Sequence, residues 1–356
     1  MITTSAGTDA RQVRGSTIPE GLSIYLDLIR FLAATCVVLY HTWDFLYPGA
    51  ENHWPGHEAV VVFFVISGYV IVHAASRPGV TLGVYIQHRV ARIVPVAFAA
   101  LLLGAALALA AGENPLRGLL VNALFLGESG FWMVAAPANA PYWSLNYEVW
   151  YYIVFAAWIY APRRHRMLAT VVAAALAGPK ILVLMPVWLM GVWLYRHMPA
   201  MGKWQAPAVF AATIAAAAAL HHFDVSASLR SWLYAVFPPA WRLGHSTQFL
   251  YDLILGVVVC LHFAAAASLA PLCAMLRSLE RPIRYLAGFT FSAYLFHTPL
   301  STLYVKGMQP WVFYAILGVS IFVLAELTER RVRFYRHLLQ KLGTRALPRL
   351  RDADLT

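Results

Sequence analysis

The chain has 356 residues, 60% of them hydrophobic and only 12% charged, where charged residues supply about a quarter of an ordinary soluble chain. Too little polar surface remains to wet a compact body, which excludes a soluble enzyme and a disordered chain alike. The 27 Lys and Arg outnumber the 16 Asp and Glu, for a net charge of +11, but the bases fall between apolar runs, so no nucleic-acid partner is read from them.

This composition describes an all-α, polytopic integral membrane protein. A helix needs about 20 apolar residues to cross the hydrocarbon. Ten candidate spans follow in chain order: residues 22–44, 58–76, 94–111, 142–160, 167–179, 181–196, 205–220, 249–270, 286–304 and 311–329. The fifth is short and the sixth to eighth have soft boundaries, the places where a re-entrant or strongly bent helix would fit. Residues 1–21 are polar and lack an apolar signal-peptide core, so the first span itself is expected to direct insertion. Cys36, Cys260 and Cys273 sit in or beside apolar runs, as small hydrophobes rather than a disulfide framework.

Charge orients the spans. With the N-terminus inside, 21 of the bases fall on the cytoplasmic side and five outside, which predicts both termini in the cytoplasm. The chain then divides into a cytoplasmic tail (1–21), a transmembrane domain (22–330) and a basic cytoplasmic tail (331–356). The stretch ERRVRFYRHLLQKL around that last boundary alternates basic and apolar residues at helical spacing, and reads as an amphipathic segment on the anionic inner leaflet. No soluble catalytic domain is read, so any chemistry must use the membrane domain.

An ionisable group within a span costs some 2.5–3.5 kcal/mol on insertion scales and marks function by default. The first span carries Asp27, Arg30 and His41, with Asp44 one turn further on. Arg30 and His41 are eleven positions apart, three turns plus about 20°, so both point to one side roughly 16 Å apart along the axis. Asp27 lies one turn before Arg30, near the same stripe. The pair Ser67-Gly68 in FFVISGYVI is by itself sufficiently explained by close helix packing. In the basic segment HRVARIVP, Arg89 and Arg92 stand one turn apart, a spacing suited to clamping phosphate. The fourth span opens WSLNYEVWYY and places Glu148 among aromatics, where packing does not explain a carboxylate.

Taken in order, LDLIRFLAATCVVLYH, FFVISGYVI, HRVARIVP, WSLNYEVWYY, PVWLMGVWLYR and GFTFSAYLFHTPL resemble the acyltransferase 3 family of polytopic membrane O-acyltransferases, across residues 22–330. The hallmark is the Arg and His of the first span, here Arg30 and His41. Two positions depart from the family pattern: His88 stands where a further Arg is common, and Phe291 where Tyr is usual. The resemblance is to members consisting of the membrane domain only. It implies an acyl-CoA donor, usually acetyl-CoA, reached from the cytoplasm, and a hydroxyl acceptor on a sugar or glycan, with no permanently bound cofactor.

On that reading Arg30, Arg89 and Arg92 hold the CoA phosphates, since guanidinium forks match phosphate, and His41 is the general base. A carboxylate is expected to hold the His41 tautomer, with Asp44 the local candidate and Glu148 the distant one. A covalent acyl intermediate on His41 or Ser144 is the chemical alternative. Trp143, Ser144, Asp27 and His297 are expected on the substrate side. The groups His221-His222-Phe-Asp224 and His53-Trp-Pro-Gly-His57-Glu58 have neither helical register nor a further clear ligand, so no metal site is read. The rival class is a transporter using Arg30, His41 and Glu148 as an intramembrane path.

Overall fold

The computed structural model describes residues 18–346. Most of the tail expected over 1–21, and residues 347–356 of the C-terminal tail, lie outside the described residues. The described part is helical, without a named strand, and begins with α1 (Glu20–Leu46), α2 (Gly56–Ala75) and α3 (Leu82–Ala110). There follow α4 (Leu116–Ala123), α5 (Trp143–Tyr160), α6 (Arg166–Ala177), α7 (Pro179–Arg196), α8 (Gln205–His222) and α9 (Val225–Val236). The chain then forms α10 (Phe249–Ala267), α11 (Ala270–Ser278), α12 (Glu280–Ala287), α13 (Thr290–Ser301), α14 (Pro310–Leu327) and α15 (Val332–Ala346).

Five helices are long and apolar enough to cross a membrane, or up to seven if each of two bent pairs counts as one span. The multi-pass membrane character thus stands, and the difference from ten spans has local causes. The expected fifth and sixth spans are α6 and α7, which meet at 118°. Gly178 makes that bend, with φ +88° and its Cα against the Gly130 backbone, where a side chain has no room. The expected seventh is α8, joined to α9 at 58°. The expected fourth, α5, is too polar in its first half, and α13 has only 12 residues. In contrast, α3 begins well before its apolar stretch, capped by the Thr81 side chain accepting from Val84 N. The basic segment that carries Arg89 and Arg92 is therefore the first part of a 29-residue helix.

Large apolar side chains line the outside, among them Phe98, Leu102 and Leu109 on α3, Val171 and Leu176 on α6 and Val319 on α14. In water such a surface would aggregate, and against lipid it is the stable one. Inside, α1 is the hub, packed against α2, α10, α11, α12 and α13. The closest seam joins α2 to α7. A Cβ added to Gly68 would stand 2.0 Å from the Trp188 carbonyl oxygen, and one added to Gly191 2.0 Å from that of Val65. The two backbones touch because neither residue has a side chain. Gly191→Ala is expected to cost roughly 1–3 kcal/mol or more, read as a lower midpoint of thermal unfolding in detergent. An unchanged midpoint would mean the seam yields.

Candidate active site

Arg30 sits where α1 crosses α12 and α13. Its Nη1 donates to Asp27 Oδ1 at 3.4 Å, and its Nη2 to Thr290 Oγ1 at 3.3 Å and the Ala287 carbonyl at 3.5 Å. Asp27 also accepts from Arg284 Nη1 at 3.0 Å. The one-turn spacing read from the sequence is thus a real pair, and it is tied into a third helix. Arg30 faces a cavity of about 160 Å³ that is also lined by Arg89, Arg92, Ser144, Glu148 and Tyr294. Five of the residues singled out from sequence, on α1, α3 and α5, therefore share one cavity.

Glu148 is held rather than loose. Ser67 Oγ donates to its Oε1 at 2.5 Å, and the Tyr152 hydroxyl donates to the same oxygen. No described residue is hydrogen-bonded to Oε2. Ser67 in turn accepts from Trp188 Nε1 at 3.2 Å, and the Arg89 guanidinium lies over the Tyr152 ring, 5.7 Å from its centroid. Ser67 and Gly68 have divided tasks: the glycine packs the seam and the serine serves the carboxylate. Arg92 lies within electrostatic reach of Arg30 and of Glu329, a carboxylate at the end of α14 that accepts from the Ser292 backbone N–H at 2.9 Å.

A second cavity of about 510 Å³ shares Arg30, Ile66 and Val70 with the first, and is lined further by Ser23, Asp27, His73 and Arg77. Arg30 thus stands in the wall between the two. The wider one opens among the N-terminal turns of α1 and the C-terminal end of α2.

His41, further along α1, lines neither of these two cavities. Its Nδ1 is 2.9 Å from the Val37 carbonyl. A carbonyl only accepts, so Nδ1 bears the hydrogen and, in the neutral ring, the lone pair is on Nε2. A carboxylate was expected to fix this tautomer, but neither Asp44 nor Glu148 hydrogen-bonds the ring. Asp44 is exposed near the end of α1, and Glu148 is committed to Ser67 and Tyr152. The ring centroid of His297 is 5.2 Å from that of His41. His297 is fully buried, with Nδ1 on the Ala293 carbonyl at 2.9 Å and Nε2 accepting from Thr298 Oγ1 at 3.0 Å. The Tyr294 ring lies 6.3 Å beyond His297, and its hydroxyl is 2.6 Å from Ser144 Oγ. Side chains of α13 thus lead from the imidazoles to the cavity. Trp143 lies outside this lining, stacked on His245 at 4.5 Å.

Tyr152, Tyr294, Thr290 and Glu329 were not singled out from sequence as site residues. Three lie inside quoted motifs without a charge to draw attention, and Glu329 reads as one member of an interfacial run with Arg330 and Arg331. The His and acid groups near residues 53–58 and 221–224 form clips instead. His57 Nε2 meets Asp252 Oδ1 at 2.6 Å and His221 Nδ1 meets Glu58 Oε1 at 2.8 Å, tying α2 to α10 and α8.

A family model described as an acyltransferase domain matches residues 23–330. Among curated proteins, the exopolysaccharide production protein ExoZ of Rhizobium meliloti (strain 1021) is 34% identical over 122 residues, 32% of this chain and 37% of that protein. The chain therefore spans little more than a third of that relative's length. No solved structure matches.

Proposed function

We propose, since the chain belongs to the acyltransferase 3 family by its match over residues 23–330, that it moves an acyl group, acetyl first among them, from cytoplasmic acyl-CoA to a hydroxyl of a polysaccharide sugar. The observation that carries this reading is the cavity shared by Arg30, Arg89, Arg92, Ser144 and Glu148. Family membership sets the transporter reading aside, and the name of the partial relative supports a glycan acceptor. Ten spans with both termini in the cytoplasm, in the inner membrane, remain the topology we propose, with the basic end of the bundle facing acyl-CoA.

The donor's phosphates enter the wider cavity and its pantetheine arm passes Arg30. Because the Arg30 fork is already engaged by Asp27, Thr290 and Ala287, Arg89 and Arg92 offer more free N–H groups. The thioester lies towards the imidazoles. His41 Nε2 takes the acceptor hydroxyl proton, the oxygen forms the ester bond, the carbon–sulfur bond breaks, and the thiolate takes the proton back from the imidazolium. Glu148, with Oε1 fixed by two hydroxyls, orients a substrate donor through Oε2. A covalent route through Ser144 lacks support, because the hydroxyl meets Tyr294 and the Pro141 carbonyl rather than a base.

The direct test is acetyl-CoA binding and acetyl transfer by the purified protein in lipid. Arg89→Gln is expected to weaken acetyl-CoA binding about tenfold, the loss of one charge-assisted hydrogen bond. Unchanged affinity would remove Arg89 from the donor site, and absence of binding by folded wild type would remove acyl-CoA as donor.

A further inference from the structure

Arg336 belongs to α15, beyond residue 330 where the family match stops. Two observations bring it to the donor side. The helix packs against α3, and Gln87 Nε2 donates to the Arg336 carbonyl at 3.0 Å, so the turn bearing Arg336 is pinned one residue before His88-Arg89. The Arg336 guanidinium then lies within electrostatic reach of Arg77, Arg89, Arg92 and Arg333, and His88 within reach of Arg336, Arg89 and Arg77.

The carboxylate within electrostatic reach of this assembly, among the described residues, is Glu329, beside Arg92, and it forms no ion pair with Arg89, Arg333 or Arg336. Among the described residues, the arginines paired with carboxylates are Arg30, Arg277, Arg284 and Arg330. Arg89, Arg92, Arg333 and Arg336 have none at salt-bridge distance, and Arg336 Nε is buried with no hydrogen-bond partner. Gathering guanidinium groups without an anion is unfavourable, and leaving a buried donor unmade costs more than the bond is worth when formed. Such a cluster fits a multiply charged oxyanion. The cluster reaches both cavities, since Arg77 lines the wide one, where the donor's phosphates are proposed to enter, and Arg89 and Arg92 line the narrow one.

We infer that α15, through Arg336 with Arg333, completes a phosphate site for the 3′,5′-ADP end of the acyl donor, so that a segment outside the family match takes part in donor binding. The inference rests on the acyl-CoA reading above. An anionic lipid headgroup offers the same phosphate chemistry, and the membrane composition separates the two.

The experiment measures 3′,5′-ADP binding by the full chain in nanodiscs of neutral phosphatidylcholine, and again with phosphatidylglycerol added. Wild type should bind the nucleotide in neutral lipid. Arg336→Gln and Arg333→Gln should each weaken it, the former by about tenfold, and Arg336→Lys should weaken it less. Turnover of acetyl-pantetheine, which lacks the nucleotide, should stay at the wild-type value in all three, which also shows that they fold. No nucleotide binding by wild type, or binding indifferent to Arg336, overturns the inference. So does parallel loss of acetyl-pantetheine turnover in every variant, which would make α15 merely structural. A loss seen only with phosphatidylglycerol would give the cluster to lipid headgroups. If wild type bound 3′,5′-ADP through Arg336 but transferred nothing from acetyl-CoA, the phosphate site would stand and the acyl-donor reading would fall.

Discussion

His41→Ala is expected to lower kcat for acetyl transfer by roughly 10²–10⁴-fold, the usual worth of a positioned general base, while acetyl-CoA affinity stays within about twofold. The separation follows from geometry. The basic groups proposed to meet phosphate lie around Arg30 and the start of α3, whereas His41 is some three turns further along α1. Val37 makes the prediction specific, because its carbonyl keeps the hydrogen on Nδ1 and leaves Nε2 to receive a proton. Transfer kinetics and donor binding measured together provide the test. Near-normal kcat in a folded variant would remove His41 from the chemistry. Labelled acetyl retained on quenched wild type would instead show a covalent route, since the base mechanism leaves the protein unmodified.

The second large effect concerns stability. Lys180 is fully buried, its Nζ 2.8 Å from Glu128 Oε2 and 2.7 Å from the Trp132 carbonyl. Ser246 donates to the Lys180 carbonyl at 2.7 Å and meets the Tyr147 hydroxyl at 2.9 Å. The first turn of α7, just past the Gly178 bend, therefore anchors two connecting segments and α5. Burial holds the Glu128 carboxyl above its ordinary range despite the lysine, a sign of how much desolvation the pair must offset. Removing one partner leaves the other charge buried without its close counter-charge, with His245 Nε2 still 3.8 Å from Glu128 Oε1, so Lys180→Met or Glu128→Gln should each lose about 3–5 kcal/mol. The double variant should lose much less than the sum. Denaturant unfolding in detergent decides it, and additive losses in the double variant would show that the two charges do not depend on each other.

These two sites also show what a sequence discloses. Arg30 and Glu148 were legible because charge in an apolar run is costly wherever it falls, Arg89 and Arg92 because they stand one turn apart, and Ser144 through the motif it shares with Glu148, and the structure brings all five to one cavity. Lys180 was not. It stands at a helix start beside Gly178-Pro179, where a lysine ordinarily faces water, and only the fold around Glu128 reveals its burial. The His41 tautomer was equally hidden, since a backbone carbonyl leaves no trace in residue types. The span count was less legible for a related reason. Helices that are apolar all round carry no stripe to show which side faces inward, and the two expected spans on either side of Gly178 are a sharply bent pair that counts as at most one span.

The glycine seam has a mechanical meaning. Where backbone meets backbone there is no rotamer to flip, so α2 and α7 have little freedom to slide past each other. Ser67 and Trp188 are hydrogen-bonded across that seam, and Ser67 passes the constraint to Glu148. The carboxylate inherits the stiffness of two helices, and its direction is set before any substrate arrives. Such a dipole need not reorient at each turnover. Two residues with no side chain thereby contribute to the order of a site that neither of them touches.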